Sequence, residues 1–197
     1  MSLDHAAARL PDHPVDPQFP ARWSPRSFSE ATLTEGQVLT VLEAARWAPS
    51  ASNNQPARFV WGLRGDAGFA AILGALVPSN RDWAQRAAAL IAVASRDVTV
   101  AADGTVKPNR WAGFDSGAAW MSLALQAQAM GLVAHAMGGF DGPALSAAVA
   151  LPADHSLHAV VAIGQQGPVE NLPEALRARE APNQRNPLTA SAFRGRF

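Results

Sequence analysis

The stretch DSGAAWMSLALQAQAMG, residues 115–131, decides the fold. Asp115 suits an N-cap and Gly131 a C-terminal stop, so the segment reads as one helix over residues 115–130. Ala118, Trp120, Met121, Leu123, Leu125, Ala127 and Met130 put apolar groups on almost every face; from there on Ser122, Gln126 and Gln128 interrupt them. A helix that is apolar all round is buried, by the core, by a partner chain or by both.

The flanks supply the rest of the architecture. Residues 133–137 read as a strand that enters the Gly138-Gly139 turn, residues 143–150 as a short helix with Asp141 near its start, and residues 160–163 as an apolar strand ending at Gly164. On the other side, residues 90–94 read as a buried strand behind a polar connection over residues 97–112 with an Asp103-Gly104 turn. Helices are expected over residues 69–77 and 81–88, and a strand over 59–61. Thr34-Glu35-Gly36-Gln37 is a capping box; Val38, Val41, Leu42 and Ala45 keep helical spacing behind it until Pro49 stops the helix. The expected fold class is α+β, with helices packed around a small mixed sheet. Residues 1–20, rich in Pro, Asp and His, read as a surface arm; residues 21–197 read as a single domain whose last part, from Gln165, is an extended arm.

Charged residues make up only 16% of the 197 residues, while hydrophobic ones make up 48%. Ala-rich helices with so few charges leave surface for a second copy, so a homodimer is expected. The formal net charge is zero, which gives no field toward nucleic acid or anionic membrane. Cysteine is absent, excluding disulfides, thiolate catalysis and Cys-ligated metals. The longest purely apolar run, residues 87–94, falls far short of the ~18–20 residues that span a bilayer. No long apolar stretch follows a basic start, and the default expectation is a soluble cytoplasmic protein.

Several residue sets bear on chemistry. Arg22, Ser24 and Arg26 alternate along an extended stretch, so their side chains point one way and suit a phosphate; the same residues also suit a surface Arg pair with a serine in a turn before Pro25. The loop of residues 49–56 offers Ser50, Ser52, Asn53, Asn54 and Gln55, whose amides can read the polar edge of a flat ring; such residues also populate ordinary loops. Asn80 opens a helix, as an N-cap or as a ligand contact. Gly138 and Gly139 give bare backbone beside a planar group, or simply a turn. Arg185 sits in the patternless tail, as a solvated cation or a further phosphate contact. His155 and His158 lie three apart with no third ligand cluster, so no metal is expected. GxSxG, Walker and GxGxxG signatures are all missing.

The order of these sets resembles the nitroreductase family of FMN-dependent oxidoreductases. R-x-S-x-R-x-F from Arg22 is similar to the family's phosphate motif, and A-P-S-A-x-N-x-Q-P over residues 48–56 to its most recognisable loop. Asn80, the helix from Asp115, the run of residues 137–141 and Arg185-Asn186-Pro187 follow in family order, and the resemblance spans roughly residues 20–190. It implies a nitroreductase-like fold in an intertwined homodimer. It implies that Arg22 and Arg185 bind the FMN phosphate, with Ser24 on the phosphate or ribityl. Arg26 would sit by flavin N1 and O2, Asn80 on the ring or ribityl, and the backbone of Gly138 and Gly139 by N5 and O4. Pro49, Ser50, Ala51 and Asn53 would reach the flavin from the second subunit.

The implied reaction takes hydride from NADH or NADPH onto the flavin and passes it to a nitroaromatic, a quinone or a similar small molecule. No catalytic side chain is named, since protons can come from water. The chain departs from the pattern at Ala57, where the loop often carries Trp, and at Asn183, where a second tail cation often stands. Residues 97–112 offer little to build a lid, and tyrosine is absent. Two other readings stay open: a non-catalytic FMN-binding module, and a reductive dehalogenase or flavin-fragmenting enzyme on the same fold.

Overall fold

A computed structural model describes residues 9–197; the first eight residues of the expected arm lie outside the described residues. In chain order the elements are α1 (Gln18–Ala21), α2 (Glu35–Arg46), β1 (Ala57–Leu63), α3 (Ala67–Gly74), α4 (Pro78–Ala84), β2 (Ala89–Arg96), β3 (Val98–Val100), β4 (Val106–Pro108), α5 (Ala112–Ala129), β5 (Val133–Met137), α6 (Gly142–Ala148), β6 (His155–Gly164) and α7 (Glu174–Arg177). Short 3-10 turns sit at Ala51–Asn53, Val169–Asn171 and Leu188–Ala190.

The main sheet has four strands in the order β1-β2-β6-β5. Every neighbouring pair runs antiparallel, so the expected mixed sheet is corrected to an antiparallel one. The β5–β6 register shows the direction: Val133 pairs with Gly164 and Met137 with Val160, so the two strands run in opposite senses.

The two central strands read as unbroken apolar runs because both sheet faces are covered. Alternate residues face opposite ways. Ala89, Ile91 and Val93 of β2 join Val161 and Ile163 of β6 in a core with Val38, Val41 and Ala45 of α2 and Ala119, Leu123 and Ala127 of α5. Leu90 and Ala92 join Val160 and Ala162 in a second core with Phe69 and Ile72 of α3, Trp83 of α4, Leu145 of α6 and Phe28. A bulge shifts the β2–β6 register next to Val93 and Ala94, leaving His158 outside the pairing.

The capping box of α2 forms as expected, with the Thr34 side chain accepting from the Gln37 amide. Asp141 caps α6 by accepting from Ala144. Two expectations are revised, and the tail gains contacts the sequence does not show. The long helix starts at Ala112, so Asp115 lies inside its first turn rather than at its cap. The connection over residues 97–112 contains the β3–β4 hairpin. The segment from Gln165 is docked: Ser29 N–H donates to Gln165 O at 3.0 Å, Gly167 N–H to Ser27 O at 3.0 Å, and Asn171 Nδ2 to Phe28 O at 2.9 Å. Gly167 permits that approach, because a Cβ there would lie 2.5 Å from the Phe28 carbonyl.

Candidate functional site

Residues 22–28 form an extended strap rather than a strand, with Phe28 fully buried and stacked 6.3 Å from Trp83. Anchored there, the strap turns Arg22, Ser24 and Arg26 into one cleft of about 460 Å³, as their alternation predicts. Arg22 Nη1 donates to Ser24 Oγ and to Trp23 O, each at 3.2 Å. Arg185 reaches the same cleft from the C-terminal segment, and Arg9 reaches it from the N-terminal one. Burial, then the neighbouring Arg9 and Arg185 charges, hold the Arg22 guanidinium below its usual pKa; burial and then Arg185 do the same for Arg9. Like charges have been gathered, which is the signature of a site shaped for an anion.

One carboxylate organises the strap. Glu180 Oε1 accepts from the backbone N–H groups of Arg26 at 2.7 Å and Ser27 at 2.8 Å. Its side chain is 3% exposed, and Oε2 lies 3.9 Å from Arg26 Nη1 with no hydrogen bond of its own. The Ser27 hydroxyl donates to the Pro168 carbonyl. The C-terminal segment is thus clamped to the strap at several points, and that clamp brings Arg185 to Arg22. His135 of β5 closes the cleft floor. Its Nδ1 donates to the Pro25 carbonyl at 3.1 Å, and its ring lies 4.8 Å from that of Trp83. Burial lowers the His135 pKa most; the Pro25 carbonyl opposes this, and Arg26 and Arg22 add to the lowering.

The loop of residues 49–56 stands apart. Ser52, Asn53 and Gln55 take left-handed backbone angles, φ 51°, 54° and 47°. Asp115, 4% exposed, accepts from Ala51 N–H at 3.1 Å through Oδ2. Ser50 Oγ accepts from Gln55 N–H at 2.9 Å. Pro49, Ser50 and Gln55 line a second cleft of about 590 Å³ with α2, and it has no lining residue in common with the cation cleft. Within one chain, therefore, Pro49, Ser50, Ala51, Asn53 and Gln55 are not brought to Arg22, Ser24 and Arg26. Beside this loop two large side chains face outward: Trp47 is 74% exposed and Phe114 76%.

Asn80 and the glycine pair meet each other. Asn80 lies in the first turn of α4, whose cap position is Val77, so its N-cap reading is corrected. Its Nδ2 donates to Gly139 O at 3.0 Å, and Val77 N–H donates to the same carbonyl at 3.2 Å. A Cβ on Gly139 would sit 2.7 Å from Asn80 Nδ2 and 2.9 Å from Val77 Cγ2, so a larger residue there would displace the Asn80 side chain; Gly138 has open space.

Four residues here were missed as functional in the sequence. Asp115 and His135 carried a visible signal, each being polar within an apolar segment. Arg9 and Glu180 carried none, because each acts on residues far away in the chain. The two histidines of β6 do not converge: His155 Nδ1 bonds to Asp154 at 2.7 Å and His158 Nε2 to Ser95 Oγ at 2.8 Å. Among the described residues no helix is long and apolar enough to cross a membrane.

Comparison with known proteins fits this geometry. The model of the nitroreductase family matches residues 20–68 and 63–165. A 15.4 kDa protein of Mycolicibacterium smegmatis, described as uncharacterized, is 34% identical over 71% of this chain and 97% of its own length. A Rhodopseudomonas palustris protein named "Putative NADH dehydrogenase/NAD(P)H nitroreductase" is 28% identical over 72% of this chain and 79% of its own. A crystal structure described as an oxidoreductase containing FMN superposes with a TM-score of 0.94 at 41% identity, over 100% of this chain and 98% of that one. A nitroreductase-type protein from Desulfovibrio desulfuricans, solved in complex with FMN, gives 0.71 at 25% identity over 91% and 95%.

Proposed function

This chain belongs to the nitroreductase family, and from that membership we propose that it is an FMN-dependent oxidoreductase that draws on NADH or NADPH. The observation that carries the reading is the cleft itself. Arg22 and Arg185 converge with Ser24, and among the described residues neither arginine is ion-paired. A phosphate ester suits that donor set, since guanidinium groups match its oxygens in charge and geometry. Bound there, FMN would supply the two-electron chemistry, accepting hydride from the nicotinamide and passing it to a nitroaromatic, a quinone or a similar flat acceptor.

The chain's own residues bind and orient. Arg22, Arg185 and Ser24 hold the phosphate end. Arg26, fixed through its backbone by Glu180, is the cation for the polar ring edge, where it offsets negative charge. Asn80 locks the Gly139 carbonyl, which sets the direction of the neighbouring backbone toward the ring. The loop of residues 49–56 serves the site of a second copy, so the working form is a homodimer. Support for that arrangement comes from the separation of the two clefts and from the outward-facing Trp47 and Phe114.

The test is anaerobic titration of the FMN-loaded protein with NADH and with NADPH, followed by absorbance. Bleaching of the flavin band by either nicotinamide is the expected result, and subsequent addition of a quinone or nitroaromatic restores it. Protein that holds no FMN after reconstitution overturns the reading.

A further inference from the structure

The R-x-S-x-R motif accounts for Arg22, and the tail for Arg185, but neither accounts for Arg9. Arg9 is 7% exposed as a residue, lines the cation cleft, and has no ion pair among the described residues. Its Nη1 donates to the carbonyls of Pro20 and Arg22, each at 2.8 Å. Those two bonds explain Nη1 and nothing else. An amide side chain could make them without placing a third positive charge beside Arg22 and Arg185, where like charges repel. Nε and Nη2 make no hydrogen bond among the described residues, so the fork retains donors for a ligand.

The surroundings repeat the point. A further cleft of about 750 Å³ lies between the N-terminal and C-terminal segments, and Arg9, Arg22 and Arg185 line it as well. The cluster is the wall that the two clefts share. The carboxylate in that second cleft, Asp12, accepts from Leu188 N–H, of the same cleft, at 2.7 Å and makes no ion pair among the described residues. That bond ties the two terminal segments together beside three cations that make no ion pair among the described residues.

We propose that Arg9 is a phosphate-binding residue, the third guanidinium of an anion site completed by the N-terminal segment, so that Arg9, Arg22 and Arg185 hold the terminal phosphate of the flavin together. This rests on the FMN reading above. It makes the segment before α1 part of the cofactor site and not a mere surface arm.

Riboflavin, which has the ring and ribityl but no phosphate, separates the possibilities. The full chain, stripped of flavin, is titrated with FMN and with riboflavin and followed by flavin fluorescence, for the parent protein, Arg9→Gln and Arg9→Lys. The expected result is that Arg9→Gln weakens FMN at least about tenfold, the scale of a lost charge-assisted hydrogen bond. Riboflavin affinity stays within about twofold, and Arg9→Lys recovers part of the FMN loss. Unchanged FMN affinity in Arg9→Gln overturns the proposal. Equal losses for FMN and riboflavin also overturn it, because Arg9 would then only shape the fold. A parent protein that binds neither flavin sinks the FMN reading itself, and this proposal with it.

Discussion

The strap at residues 22–28 and the loop at residues 49–56 each hang from one buried carboxylate, which accepts two backbone N–H groups in the strap and one in the loop, yet they are built in opposite ways. Glu180 reaches the strap across 154 positions of sequence and leaves it extended and unstrained. Asp115 reaches the loop across 64 positions and holds a backbone with three left-handed non-glycine residues. The strap turns its cations into a cleft that one chain completes. The loop lines a different cleft and is flanked by exposed aromatic side chains. A region that binds charge needs several cations converged, and long-range clamps do that. The loop keeps a particular local shape instead, with backbone strain held by a single anchor.

The largest expected effect tests the clamp. Glu180→Ala strips the Arg26 and Ser27 amides of their acceptor and costs about 3 kcal/mol, read as a lower urea midpoint. Faster hydrogen exchange at Arg26 and Ser27 should accompany it; protection unchanged at those two amides would show that the strap holds itself. Next comes Asp115→Ala, expected to cost about 1–2 kcal/mol and to speed exchange at Ala51 while Arg26 and Ser27 stay protected. Equal loosening of both regions would erase the distinction drawn here.

A smaller effect depends on pH. Burial, with the nearby Arg26 and Arg22, keeps His135 below the usual histidine range in the fold. Below about pH 6.5 the unfolded chain takes up a proton that the fold resists, so stability falls as pH drops from there, by at most about 1.4 kcal/mol per unit, until the folded imidazole also protonates. His135→Gln should flatten the fall in unfolding free energy between pH 7.5 and 5.5. The smallest effect has the opposite sign. Ser52→Gly relieves a left-handed serine and should raise stability by about 0.5 kcal/mol. If it instead destabilises, the loop is not strained at that position.

Legibility in the sequence followed the range of the interactions. The helix around Leu123, the α2 capping box and the apolar runs of β2 and β6 are local patterns, and each appears where the pattern puts it. Asp115 was visible but misjudged as a cap, because a carboxylate at the start of an apolar helix satisfies either role and only the position of Ala51 decides. The mixed sheet was an error of another kind: strand order and direction are set by pairing between strands far apart in the chain, which strand patterns alone do not contain. In the cation cleft, alternation announced Arg22, Ser24 and Arg26. Glu180 and Arg9 gave no local sign, since their roles exist only once distant segments meet.

The reach from Glu180 back to Arg26 has a consequence in time. At about 5–20 residues per second, a ribosome needs roughly 10–30 s to travel from one to the other. Through that interval the nascent strap has neither its clamp nor Arg185. On the proposed reading, in which Arg185 completes the phosphate site, flavin capture waits until translation has passed residue 185, and the flavin meets a strap that is already clamped.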